Sequence, residues 1–127
     1  MVEIAVEGLY RREIYGASQG HYLYYAKQIM TRYGDRVPFW VSVNEPNLEP
    51  VDNALTNIFT THANLYDWYK NELRETGQIT MKFTNNLGIP LDRNNLADVA
   101  AALRYQDFSL GIMSNPLLLG TRSHPLF

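Results

Sequence analysis

The sequence predicts an α/β fold built on a parallel sheet. Two short runs rich in β-branched and aromatic residues, 39–43 and 78–84, alternate with three segments of helical periodicity. The runs begin about 40 residues apart, above the ~30 residues of a minimal βαβ unit. Strands that alternate with helices in this way form parallel βα units rather than hairpins.

Taken in order, Tyr22, Tyr25, Ala26, Ile29, Met30 and Tyr33 recur at helical spacing and predict a first helix starting near His21. Gly34 is the expected left-handed cap, and Val37-Pro38 blocks re-entry into the helix. Phe39-Trp40-Val41-Ser42-Val43 follows as a strand, ended by the turn formers Asn44-Glu45-Pro46-Asn47 and a loop to about Asp52. Leu55, Ile58, Phe59, His62, Leu65, Tyr66, Tyr69 and Leu73 then form one stripe of a second helix, which Gly77 is expected to cap. Residues 78–84 give the second strand, broken by Asn85-Asn86-Leu87-Gly88. Asn95 is the expected N-cap of a third helix whose inner face is Val99, Ala102, Leu103, Gln106 and Leu110. Asn115-Pro116 is its expected stop. Residues 1–20 announce no element: Gly8, Gly16 and Gly20 interrupt any helical pattern, and Arg11-Arg12-Glu13 is a solvated charge cluster.

Composition narrows the function classes. A chain of 127 residues holds one ordinary domain with a modest core. With 46% hydrophobic and 19% charged residues it is globular rather than disordered. A net charge of −2 offers no basic footprint for nucleic acid. The absence of cysteine excludes disulfides, thiolate metal sites and cysteine nucleophiles. No apolar run approaches the roughly 20 residues of a membrane span, so no membrane partner is expected. Met1-Val2-Glu3-Ile4-Ala5-Val6-Glu7 carries acids where a signal peptide carries bases; localisation stays open, with the cytoplasm slightly favoured.

Four ordered blocks carry a resemblance. Tyr24-Tyr25-Ala26-Lys27 leads to Tyr33-Gly34-Asp35-Arg36-Val37-Pro38-Phe39-Trp40 and on through Val41-Ser42-Val43-Asn44-Glu45-Pro46-Asn47. His62-Ala63-Asn64, then Lys82-Phe83-Thr84-Asn85-Asn86-Leu87-Gly88-Ile89-Pro90-Leu91, and finally Asp98 to Gly120 follow in register. Residues 21–120 so resemble glycoside hydrolase family 1, the β-glucosidase family. Residues 1–20 match poorly, and Thr121 to Phe127 depart from the family pattern. An isolated Asn-Glu-Pro is a weak signal. Here it stands behind a Gly-Asp-Arg-Val-Pro turn and at the end of a predicted strand. The resemblance implies a partial (β/α)8 TIM barrel over roughly strands four and five with their flanking helices, in a single segment 1–127.

The resemblance also implies a retaining β-glycosidase, a β-glucosidase, which hydrolyses O-glycosidic bonds without a cofactor. It places the acid/base role on Glu45. A carboxyl just past a barrel strand's C-terminal end faces the side where such barrels do chemistry. A retaining glycosidase needs one such group to protonate the leaving oxygen and then deprotonate water. Proton donors of this kind rely on burial or a like-charged neighbour to raise their pKa. Asn44 maps onto the family asparagine that hydrogen-bonds the sugar 2-hydroxyl. Asn85, with Asn86 beside it, is expected at the next strand's end, as cleft lining or as plain loop. Some thioglucosidase relatives carry Gln at the acid/base position; Glu45 keeps the acid.

Other conspicuous residues read more simply. His62 falls on an apolar helical stripe and is expected to pack, while His21 and His124 have no ligand spacing, so no metal is expected. Trp40 and Trp68 read as packing residues rather than sugar platforms. Retaining chemistry needs a second carboxyl ~5–5.5 Å from the first, and the family's Thr-Glu-Asn-Gly-like nucleophile motif does not occur here. Glu49 lies in a loop, and Glu72 and Glu75 lie in a helical pattern. The alternative is a catalytically inactive remnant, at most a weak carbohydrate-binding or interaction module. The expected partner is a β-glucoside or related carbohydrate, and the oligomeric state is open.

Overall fold

The computed structural model describes residues 2–3, 19–48 and 54–120. Gly8, Gly16, the Arg11-Arg12-Glu13 cluster, Glu49, His124 and the departure after Gly120 lie outside the described residues. The chain forms two units: Met1–Pro46 with Pro50–Lys82, and Asn47–Glu49 with Phe83–Phe127.

The first unit is a parallel sheet with helices between its strands. β1 is Val2–Glu3, α1 is Gly20–Tyr33, β2 is Phe39–Asn44, α2 is Ala54–Asp67, continued by a π-helical turn Trp68–Glu72, and β3 is Gln78–Lys82. The strands lie in the order β1-β2-β3. β1 pairs with β2 through Val2↔Trp40 and Glu3↔Val41; β3 pairs with β2 from Phe39↔Gln78 to Asn44↔Lys82. The sequence does not announce β1, because two residues carry no periodicity of their own. Its partner strand supplies the pairing.

Trp40, Val41, Ser42 and Val43 are all buried. A parallel strand covered on both faces loses the in–out alternation of an exposed one. The register breaks once: Val41 faces Thr80 and Val43 faces Met81, so Ser42 is the extra residue of a bulge. Tyr22, Ala26 and Met30 of α1, Ile58, Thr61 and Leu65 of α2, Tyr69 of the π turn and Ile79 of β3 are buried with them. Each large apolar side chain fully removed from water contributes roughly 1.5–3 kcal/mol, so this layer is what holds β2 in place.

Several local expectations are corrected. Gly34 is right-handed (φ −58°, ψ −36°), its N–H bonded to Met30 O. What it provides is room: a Cβ there would sit 2.7 Å from Met30 O and 3.1 Å from Glu75 Cγ. Gly77 does not cap α2 either. The left-handed residue after the π turn is Arg74 (φ 62°), and Gly77 is buried where a Cβ would meet the Tyr69 hydroxyl. β3 ends at Lys82, leaving Phe83 and Thr84 outside the strand. Tyr33 and Tyr66, on the predicted stripes, are partly exposed.

The second unit holds α3, Leu96–Gln106, a π-helical turn Asp107–Gly111 and α4, Ile112–Leu119. Asn95 caps α3 as expected, its Oδ1 accepting Ala97 N–H at 2.9 Å. Asp98 in the first turn accepts Asp92 N–H at 2.9 Å and complements the helix dipole. Asn115-Pro116 does not stop the helix: α4 runs through Pro116 to a left-handed Gly120 (φ 65°). The helix restarts at Ile112, so Pro116 removes a single ladder bond in a two-turn segment. α3 contains no buried residue, and Leu103, expected inside, is exposed. Leu87, Ile89, Leu91, Leu96, Leu118 and Leu119 are exposed as well, while Gly111 and Met113 are buried. Among the described residues no helix is long and apolar enough to cross a membrane.

Candidate active site

The site forms where β2 ends. Parallel pairing with β3 carries the ladder one rung past the strand: Glu45 N–H donates to Lys82 O at 2.6 Å. Glu45 itself takes a left-handed backbone, φ 48°. An L-residue without local glycine freedom holds that conformation at a cost of order 1–3 kcal/mol, and such residues cluster at functional sites. Buried Pro46 then starts a 3-10 turn, Pro46–Leu48, which directs the chain off the sheet. The Glu45 carboxylate lies 3.3 Å from Lys82 Nζ, with the glutamate side chain 31% and the lysine side chain 52% exposed. Partial exposure makes this a modest ion pair in energy. Its value is geometric, because one residue, Lys82, meets both the backbone and the carboxylate of Glu45.

Below the strand end the bulge is braced from three sides. The Tyr22 hydroxyl donates to Ser42 O, and the fully buried Ser42 hydroxyl lies 3.1 Å from Thr80 O and 2.7 Å from His62 Nδ1. A hydroxyl has one proton to give. With that proton directed to the Thr80 carbonyl, Ser42 Oγ accepts from His62, which fixes the Nδ1–H tautomer. Burial lowers the His62 pKa below its ordinary value of 6.5 and favours this neutral ring. His62 is thus a packed, hydrogen-bonded histidine, as its stripe position predicts. Trp40 is fully buried, and Trp68 is half-buried with Lys27 Nζ 5.0 Å from its ring centroid. Among the described residues no group of three or more His, Asp or Glu could hold a metal ion.

Of the sequence-predicted residues, Asn44 and Glu45 come together, both half-buried, at the end of β2. Asn85 belongs to the second unit, exposed and three positions beyond β3, so its placement at a strand end is corrected. Glu75 lies beside Gly34, which precedes β2, and Glu72 ends the π turn that precedes β3. Both belong to the other end of strands about 17–20 Å long, which excludes a 5 Å approach to Glu45. Lys82, Ser42 and Tyr22 escape sequence reasoning. A polar Ser42 inside an apolar strand is a readable signal; a lysine at a strand end is not.

A parallel sheet whose strands are joined through helices, with an acidic residue at the C-terminal end of one strand, is consistent with part of a β/α barrel. Comparisons agree. No protein-family model matches the chain, but curated proteins do. Beta-glucosidase 40 of Arabidopsis thaliana is 28% identical over 76% of this chain and 25% of its own length. Lactase/phlorizin hydrolase of Rattus norvegicus is 28% identical over 77% of this chain and 6% of its own. The solved structure of an aphid myrosinase superposes with a TM-score of 0.64, at 22% identity, over 76% of this chain and 25% of that one. The chain is therefore similar to β-glucosidases and lactase/phlorizin hydrolase over about three quarters of its own length, and it spans about a quarter of Beta-glucosidase 40.

Proposed function

We propose that the chain carries the acid/base part of a retaining β-glycosidase, a β-glucosidase acting on O-glycosidic bonds. In this reading residues 21–120 form the barrel segment, β2 and β3 correspond to strands four and five, and a β-glucoside or related carbohydrate is the substrate. The observation that carries it is Glu45, a carboxyl held in a left-handed turn at the C-terminal end of a parallel strand. Glu45 protonates the leaving glycosidic oxygen and then, as carboxylate, takes a proton from the attacking water. Lys82 balances the negative charge in the second step. The Asn44 amide hydrogen-bonds the 2-hydroxyl, a contact that strengthens as the sugar approaches the oxocarbenium-like transition state.

The test is a chimera in which residues 21–120 replace the aligned segment of Beta-glucosidase 40. Glu45→Gln in that chimera should abolish hydrolysis of alkyl glucosides. It should spare glycosylation by activated aryl glucosides, and azide should restore turnover. Alkyl glucoside hydrolysis that survives the substitution would remove Glu45 from the mechanism. A second reading, a catalytically inactive remnant that at most binds carbohydrate or a partner weakly, is favoured by one observation. Among the described residues, neither Glu72 nor Glu75 reaches the end of the sheet that holds Glu45.

A further inference from the structure

We propose that Asn47 is the positioning residue for the segment that carries Asn85, a role that deepens the glycosidase reading and rests on it. Asn47 is read from sequence as a turn former, yet its side chain does more than shape a turn. Its Nδ2 donates to Thr84 O at 2.7 Å and to Ser109 O at 2.6 Å, and its Oδ1 accepts Thr84 N–H at 3.1 Å. Both amide protons and the amide oxygen are therefore engaged. Asn47, Thr84 and Ser109 all belong to the second unit.

The two partners are groups that regular structure leaves open. Thr84 lies past the end of β3, so its N–H and C=O have no ladder position, and Asn47 closes on both as a neighbouring strand would. Ser109 sits inside the π-helical turn Asp107–Gly111, where the widened backbone turns a carbonyl out of the regular i→i−4 pattern. One half-buried side chain thus pins the segment after β3 to the π turn. Asn85 is the next residue after Thr84, so its backbone is set by this clip. Gln106 Nε2, bonded to Asn86 O at 2.9 Å, secures the following residue. Asn47 acts through Thr84 and Ser109 and touches no reacting atom.

The experiment is residue-resolved hydrogen exchange on the full 127-residue chain, with 15N-asparagine labelling to follow side-chain amides. In the wild type, the Asn47 side-chain amide exchanges more slowly than that of exposed Asn85, and the Thr84 backbone amide is protected. Asn47→Ala lowers Thr84 protection about tenfold or more, as expected for the loss of hydrogen bonds of ordinary net strength. Val41 and Val43 amides in β2 stay within about threefold of the wild type. Asn47→Asp keeps an acceptor for Thr84 N–H but sets an oxygen against two carbonyls, and it lowers Thr84 protection by less than Asn47→Ala. Thr84 unprotected in the wild type, or Thr84 and β2 losing protection together, would overturn the clip. Neither result bears on Glu45, whose role the chimera decides separately.

Discussion

Replacing Gly77 by alanine sets a methyl group into space that Tyr69 already fills. The Cβ runs into the Tyr69 hydroxyl and comes within 3.0 Å of Val37 O and 3.4 Å of Pro38 O. The backbone has little freedom to yield, because Gln78 N–H is bonded to Pro38 O at 2.9 Å and Lys70 Nζ holds Gly77 O. Overpacking of this kind costs about 1–3 kcal/mol, and the double clash argues for the upper half of that range. Tyr69 is fully buried, and its hydroxyl has no hydrogen-bond partner among the described residues. An unsatisfied buried hydroxyl carries a desolvation penalty of ~1–3 kcal/mol, so Tyr69→Phe should be neutral or mildly stabilising. In the phenylalanine background the new methyl meets only the carbonyls, and the cost of Gly77→Ala should fall to about 1 kcal/mol. The expected coupling is therefore about 1–2 kcal/mol. Urea unfolding of the four proteins, followed by tryptophan fluorescence at one protein concentration, resolves this. At a slope of ~1–2 kcal/mol per molar urea, the coupling is a midpoint shift of about 1 M. Single changes that simply add, or a Tyr69→Phe change that costs more than about 1 kcal/mol, would refute the packing argument.

Stability should also depend on His62. Its folded-state pKa is depressed by burial, so the folded chain binds fewer protons than the unfolded one as pH falls through 6.5. Its contribution is present above that value and lost below it: the urea midpoint should drop from pH 7 to pH 5, and His62→Leu should flatten the dependence. Glu45→Gly should stabilise the fold by about 0.5–1 kcal/mol, since glycine adopts φ 48° without penalty and the partly exposed ion pair it loses is weak. A lower urea midpoint in that variant would show an unstrained site. The 127-residue chain alone should not turn over an aryl β-glucoside at an enzyme-scale rate, because general acid catalysis by itself supplies only ~10²–10⁴-fold. Robust activity that vanishes in Glu45→Ala would show that the chain itself supplies a nucleophile.

The sequence makes the βα alternation legible because β2 and α1 each satisfy two independent signals, residue type and periodicity. β2 is a β-branched run behind a proline; α1 buries Tyr22, Ala26 and Met30 at the expected spacing. Glycine misleads in turn. Gly34 and Gly77 both stand where a cap belongs, yet neither is left-handed; a side chain is crowded out at Gly34 by the Met30 carbonyl and Glu75, and at Gly77 by Tyr69 and the Val37 carbonyl. Pro116 misleads for the opposite reason: a rule about helix interiors weighs less in a helix of two turns. Glu45 is visible through its motif, and its left-handed backbone is not, since glutamate gives no hint of positive φ. Lys82 is invisible because its role needs the register of β2 on β3, a long-range fact. β1 is hidden the same way.

The bare face of α3 has a consequence for the life of the chain in a cell. No residue of α3 is fully buried, and of its expected inner face Val99, Ala102 and Gln106 are only half-buried, so packing stabilises it less than it stabilises the helices of the first unit. Its first turns should therefore open at a lower free-energy cost than the sheet. Chaperones and proteases sample such openings continuously, and the leucines at 87, 91, 96 and 103 are apolar handles on and beside the helix. A capping change at Asn95 should therefore expose these leucines more often while leaving the buried strands in place.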